Sequence, residues 1–201
     1  MIRIVIAEDQ KMLRGALASL LQLEGDFEVV AQVADGKEAL DAVAEYQPDV
    51  CLLDIEIPHM TGLEVAEALR DRGSSCKIMI VTTFARPGYL QQAMAAQVEG
   101  YLLKDEPIEF LVAAIRKVMN GEQVISAELA TTLFRREENP LTEREQEVLR
   151  LVKEGKTTRQ MTKELFLTNG TVRNYLSSAI QKMAASSRHQ AIKKAEEKGW
   201  I

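Results

Sequence analysis

Glu8 and Asp9 follow the apolar run IRIVIA at the start of the chain, and Asp54 follows the run VCLL. Thr82 and Thr83 close a third run, KIMIV, and Lys104 closes a fourth, GYLL. A carboxylate carried to the end of a buried segment is costly unless it is paired, bound to metal or used chemically. Three carboxylates gathered in one place repel one another and raise each other's pKa values. A hard divalent cation relieves that repulsion, and Mg²⁺ or Mn²⁺ accepts a few carboxylates plus waters. An aspartate beside such a cation can take a phosphoryl group as an acyl phosphate. Lys104 has the charge and reach to pair with a phosphoryl group or a neighbouring carboxylate, and the Thr82 hydroxyl can donate to a phosphoryl oxygen. The pattern therefore points to phosphoryl transfer at Asp54, with Asp54, Thr82 and Lys104 as the chemical groups and Glu8, Asp9 and Asp54 as metal ligands. Glu8 and Asp9 alone would fit equally well as helix-entry acids. What carries the chemistry is the coincidence of all five residues, each at the end of an apolar run.

The elements that must position them follow from periodicity. Apolar runs at 2–7, 27–33, 50–55, 77–83 and 100–104 are continuous rather than alternating, as in parallel strands covered on both faces. Between them, apolar residues recur at helical spacing: Leu13, Leu17 and Leu20; Ala39, Leu40 and Val43; Val65, Ala66 and Leu69; Leu90 and Ala93; Leu111, Ala114, Ile115 and Val118. Gly25, Gly73 and Gly121 fall where helix ends would be. The fold class is α/β, a doubly wound, five-stranded parallel sheet of flavodoxin type over residues 1–120, with right-handed crossovers. In such sheets ligands bind at the carboxyl ends of the strands, where the five polar residues converge.

Residues 121–139 read as a linker with a short helix, and 140–201 as a small all-α helix-turn-helix domain. Thr142-x-x-Glu145, Thr157-x-x-Gln160 and Ser187-x-x-Gln190 are capping boxes, with Leu141 placed as half of a hydrophobic staple. Charge separates the two halves. Residues 1–120 hold 11 Lys+Arg and 19 Asp+Glu, a balance of −8, while 121–201 hold 14 and 11, a balance of +3. No acid occurs between Leu165 and Ala195. Within that span, TNGTVRNYLSSAIQKM puts Val172, Ala179, Ile180 and Met183 on one stripe and Arg173, Asn174, Ser177 and Lys182 on the other. Arg and Asn suit base edges, whereas Ser and Lys suit phosphates as well, so Arg173, Asn174, Ser177, Thr171 and Lys182 are the DNA-contact candidates.

A hydrophobic content of 46% and a charged content of 27% are ordinary for a globular protein. No apolar run reaches the ~18 residues of a membrane span, so no membrane insertion is expected. Two cysteines without a secretion signal predict reduced thiols and a cytoplasmic protein. Phosphohydrolases of the haloacid-dehalogenase type also phosphorylate a strand-end aspartate. They want an Asp two residues later, where this chain has Glu56, and a cap domain over the site.

Residues 1–120 resemble a response-regulator receiver domain through Glu8-Asp9, Asp54, Pro58-x-Met60-x-Gly62, Thr82, Tyr101 and Lys104. The resemblance implies that Asp54 takes phosphate from a sensor histidine kinase. It implies that the Glu56 backbone carbonyl joins Glu8, Asp9 and Asp54 around Mg²⁺, and that Thr82 and Tyr101 form a switch in which the ring rotates inward. Asp105 stands where many receivers have a proline, so a trans peptide is expected. Residues 140–201 are similar to the LuxR/NarL-type DNA-binding domain through LTEREQEVLRLVKEGKT and TNGTVRNYLSSAIQKM, although Met161-Thr162 replaces the usual Ile-Ala. Together the halves resemble NarL/FixJ response regulators. This implies double-stranded DNA as ligand, a homodimer on phosphorylation, and RNA polymerase as a further candidate partner. The dimer face would be the first and fifth helices, near Leu13, Leu17, Leu111 and Val112, or else the fourth helix. The stretches IAEDQ, TTFARPGY, TVRNY and EKGW resemble regulators of membrane-lipid genes, implying lipid or envelope-stress targets.

Overall fold

The structure, a computed structural model, describes residues 1–83, 86–134 and 139–201. The chain divides into two compact units, Met1–Ala85 with Leu90–Phe134, and Arg86–Tyr89 with Arg135–Ile201.

In the first unit β1 (Ile2–Ala7), β2 (Phe27–Val33), β3 (Val50–Leu53), β4 (Lys77–Thr82), β5 (Gly100–Leu103) and β6 (Val124–Ile125) form one parallel sheet, ordered β2-β1-β3-β4-β5-β6. Between consecutive strands run α1 (Lys11–Gln22), α2 (Gly36–Tyr46), α3 (Gly62–Asp71), α4 (Pro87–Ala95) and α5 (Ile108–Met119), and α6 (Ala127–Phe134) follows β6. The order reverses at β1, which has β2 on one side and β3 on the other, and such a reversal opens a crevice at the carboxyl edge. β3 and β5 are buried along their whole length, which is why their sequences show no alternation. Ile4, Ile6, Leu52, Met79 and Leu102 pack with Leu21, Leu111, Ile115 and Val118 of α1 and α5. The opposite parity, Val5, Cys51, Leu53, Ile78 and Ile80, is equally buried. Burial pushes the Cys76 thiol up to about 12 and raises the Cys51 thiol well above its ordinary value, as suits buried structural thiols.

The sheet has six strands where the sequence predicts five. β6 is two residues long, too short to register as a periodic signal, and lies in the segment read as linker. Its ladder is nonetheless regular: the Val124 N–H donates to the Glu99 carbonyl at 2.9 Å, and the Ser126 N–H to that of Tyr101 at 3.0 Å. α6 is the short helix expected there, and its Leu129 is fully buried. Gly73 and Gly121 end helices with positive φ as expected, whereas Gly25 does not, because α1 already stops at Gln22.

The second unit holds α7 (Glu143–Lys153), α8 (Thr158–Leu165), α9 (Asn169–Lys182) and α10 (Arg188–Glu197). The boxes at Thr142–Glu145 and Thr157–Gln160 are complete. At Ser187 the box is half made, because the Gln190 side-chain oxygen accepts from the Ser186 N–H instead, at 2.6 Å. Leu141, Val148, Leu149, Met161, Val172 and Ala179 are among the residues of its core.

Candidate functional site

Glu8 and Asp54, each one residue beyond its strand, are brought together with Lys104 from the end of β5. The Lys104 Nζ lies 2.6 Å from Glu8 Oε2 and 2.9 Å from Asp54 Oδ2. Both carboxylates are nearly buried, at 2% and 7% exposed. Asp9 is exposed, and one oxygen from each of Glu8, Asp9 and Asp54 lies within 4.8 Å of the others. Burial raises the Glu8 carboxyl above its ordinary value even against the pull of Lys104. Lys104, which burial alone would lower, is held above its ordinary value by Glu8 and Asp54. One ammonium thus faces three acids, and the deficit of positive charge suits a divalent cation with oxygen ligands.

Backbone groups fix these side chains. The Asp54 N–H donates to the Ala7 carbonyl at 3.0 Å, and Asp54 Oδ1 accepts from the Ile55 N–H at 2.7 Å. The Lys104 N–H donates to the Thr82 carbonyl at 2.9 Å, which joins the ends of β4 and β5. Arg14, which the sequence does not single out, donates from α1 to the carbonyls of Glu8 and Asp9 and so holds the acidic pair in place. A basic residue one helical turn inside α1 was the only available signal. Thr82 is fully buried at the end of β4. Tyr101 is 1% exposed, so its ring already lies inside the fold. The Glu56 side chain points outward, two residues beyond Asp54. The described residues contain no cis peptide, consistent with Asp105 after Lys104.

The loop after Asp54 is held by close backbone approach. The Gly62 N–H donates to the Ile55 carbonyl at 3.1 Å, and a Cβ at Gly62 would stand 2.2 Å from the Asp54 carbonyl oxygen. On the other side, a Cβ at Gly36 of α2 would stand 2.1 Å from the Met60 carbonyl oxygen, and the Gly36 N–H donates to the Pro58 carbonyl at 3.2 Å. His59 is exposed, takes a left-handed conformation and lies 3.2 Å from Asp35, the N-cap of α2.

In the second unit Arg173, Asn174 and Ser177 are exposed on α9, as a groove-facing side requires. Thr171 is half-buried in the first turn, its hydroxyl 2.9 Å from that of Thr168, the N-cap. Lys182 is exposed as well, and its Nζ lies 2.8 Å from Glu145 Oε2. Burial would raise the Glu145 carboxyl, but donors from Lys182, Ser178 and Thr142 hold it at about 2. A carboxyl depressed on folding stabilises fully above its unfolded value, 4.5, and loses that contribution as pH falls toward 2. The difference corresponds to at most about 3 kcal/mol. Unfolding followed across this window should show the second unit weakening as pH falls, and Glu145→Gln should flatten that dependence.

Residues 4–116 match the response regulator receiver domain family, and residues 139–195 match the bacterial regulatory proteins of the luxR family. Over 201 residues, the whole of both chains, the sequence is 56% identical to the transcriptional regulatory protein DesR of Bacillus subtilis (strain 168). It is 55% identical, again over both whole chains, to the uncharacterized transcriptional regulatory protein YvfU of the same organism. A crystal structure of a DNA-binding response regulator of the LuxR family from Staphylococcus aureus, 48% identical, covers 60% of this chain and 100% of its own with a TM-score of 0.58. With acids and lysine gathered at the sheet edge and a helix-turn-helix later in the sequence, the chain belongs to the NarL/FixJ response regulators, a receiver domain joined to a LuxR-type DNA-binding domain.

Proposed function

We propose that the receiver accepts a phosphoryl group from a sensor histidine kinase on Asp54 and thereby controls DNA binding and transcription. The observation that carries this is the Lys104 ammonium shared between Glu8 and Asp54, with Asp9 alongside. An Asp54 carboxylate oxygen attacks the phosphorus of the phosphohistidine. The P–N bond breaks, and the departing imidazole nitrogen takes up a proton. Lys104 is near enough to follow the new negative charge, and the Thr82 hydroxyl is the candidate donor to a phosphoryl oxygen. Glu8, Asp9 and Asp54, with the Glu56 carbonyl, would hold Mg²⁺ or Mn²⁺, which when bound supplies positive charge against the phosphoryl oxygens. The chain acts on itself and is not a turnover enzyme.

Phosphorylation adds about −1.5 to −2 charges. An allosteric coupling is typically about 1–3 kcal/mol, while moving a population from mostly inactive to mostly active takes about 5.5. Dimerisation is the natural amplifier. A groove of about 200 Å³ between α1 and α5, lined by Leu13, Leu17, Leu20, Ile108 and Leu111, favours that face for the pairing. Arg173, Asn174 and Ser177 would read base edges in paired half-sites, with Thr171 at the backbone. RNA polymerase would be the onward partner, and the resemblance of IAEDQ, TTFARPGY, TVRNY and EKGW to regulators of membrane-lipid genes favours lipid or envelope-stress targets. No helix among the described residues is long and apolar enough to cross a membrane.

Incubation with acetyl phosphate and Mg²⁺, read by intact mass, should give a single phosphoryl adduct that Asp54→Ala abolishes. An adduct that survives the substitution would refute the assignment of Asp54, and turnover of an added phosphoester would favour a hydrolase.

A further inference from the structure

Glu145 occupies the third position of α7, where a capping glutamate normally stands on the surface. Its Oε2 accepts from the Thr142 N–H at 2.7 Å, as a capping box requires. Yet the residue is only 3% exposed, and the same carboxylate reaches across to α9. Oε1 accepts from Ser178 Oγ at 2.6 Å, and Oε2 from Lys182 Nζ at 2.8 Å. Ser178 and Lys182 are one helical turn apart. Two bonds at that spacing fix α9 along its axis and in rotation about it, where a single bond would fix only its distance. Each residue step around a helix is about 100°, so a modest rotation would carry Asn174 and Ser177 off the face they now share. The capping box anchors the carboxylate to α7, so the register of α9 is set by a group that the neighbouring helix holds rigid.

We propose that Glu145 is a positioning residue for DNA recognition, and that Lys182 and Ser178 serve as its handles on α9 rather than as contacts to DNA phosphates. Base reading then falls to Arg173, Asn174 and Ser177, presented in one rotational setting. This rests on the assignment of α9 as the recognition helix. A lysine whose charge is neutralised by a buried carboxylate adds little to the counterion release that drives phosphate binding.

The test uses the full chain, a short duplex that the wild-type protein enriches from a random-sequence pool, and a scrambled duplex of the same composition. Lys182→Met keeps the stem and removes the charge. Its affinity for the enriched duplex should fall about tenfold, with the scrambled duplex nearly unaffected and the slope of log Kd against log salt unchanged. Glu145→Gln, isosteric and still able to cap, should lose affinity for the enriched duplex in the same way while keeping helix content and cooperative unfolding. The double variant should be no worse than the weaker single one. A slope reduced by about 0.9 for Lys182→Met, with both duplexes weakened alike, would make Lys182 a phosphate contact and overturn the proposal. Unchanged affinity for both duplexes, or additive losses in the double variant, would overturn it as well. Wild-type protein that enriched no sequence would remove the recognition-helix assignment itself, and this proposal with it.

Discussion

Lys104→Met should cost the receiver about 3–5 kcal/mol of unfolding free energy at neutral pH, measured by urea titration without divalent cations. Among the described residues, the lysine is the one cation bonded to Glu8 and Asp54, both nearly buried. Methionine keeps most of the stem but leaves two carboxylates side by side without compensation. Relief should then come from either direction. Millimolar Mg²⁺ should restore part of the loss, because a cation that binds only the folded site stabilises it by mass action. Asp54→Asn in the same background should also recover stability by removing the repulsion between the two carboxylates. In the wild-type chain Asp54→Asn should be neutral or mildly stabilising, since Glu8 and Lys104 remain paired. A Lys104→Met chain as stable as wild type would mean that the carboxylates do not depend on this charge, and the proposed site would lose its organising group.

Gly62→Ala should be nearly as damaging, at about 3 kcal/mol, and for a steric reason. The added Cβ would meet the Asp54 carbonyl oxygen at 2.2 Å and the Leu53 Cβ at 3.2 Å. The first of these is backbone at the end of β3, so it cannot swing aside as a side chain could. Relief requires moving Asp54 itself, and phosphoryl transfer to the variant should fall with its stability. Gly15→Ala in α1 provides the contrast. Nothing lies within 4 Å of its added Cβ, and alanine is the better helix former by about 1 kcal/mol, so this substitution should stabilise. Urea midpoints and acetyl phosphate labelling of the two variants check both outcomes.

How much of this could be read from the chain depended on how local each signal was. β3 and β5 announced themselves because strands buried on both faces are continuously apolar, and a polar residue after such a run marks the sheet edge. Glu8, Asp54 and Lys104 were therefore legible without coordinates. β6 was not, because two residues carry no period and its partners are in β5. Arg14 was missed because its guanidinium acts on backbone carbonyls, which leave no trace in residue types. Glu145 could be read as a cap, since its box lies within four residues, but its bonds to Ser178 and Lys182 span 33 and 37 positions. For the same reason the sequence shows the Lys182 charge but not its pairing with Glu145. The inward position of Tyr101 likewise depends on packing that spacing along β5 does not encode.

β6 has one more consequence. Without it, β5 would end the sheet with bare amides and carbonyls, the kind of margin along which chains stick to one another and aggregate. Val124 to Ser126 seal that margin, and Ser126 is further bound by the Glu106 carboxylate, two residues beyond Lys104. The stretch leading toward the DNA-reading half is thus stitched into the receiver as selvage. An insertion or deletion before residue 126 would fray that edge.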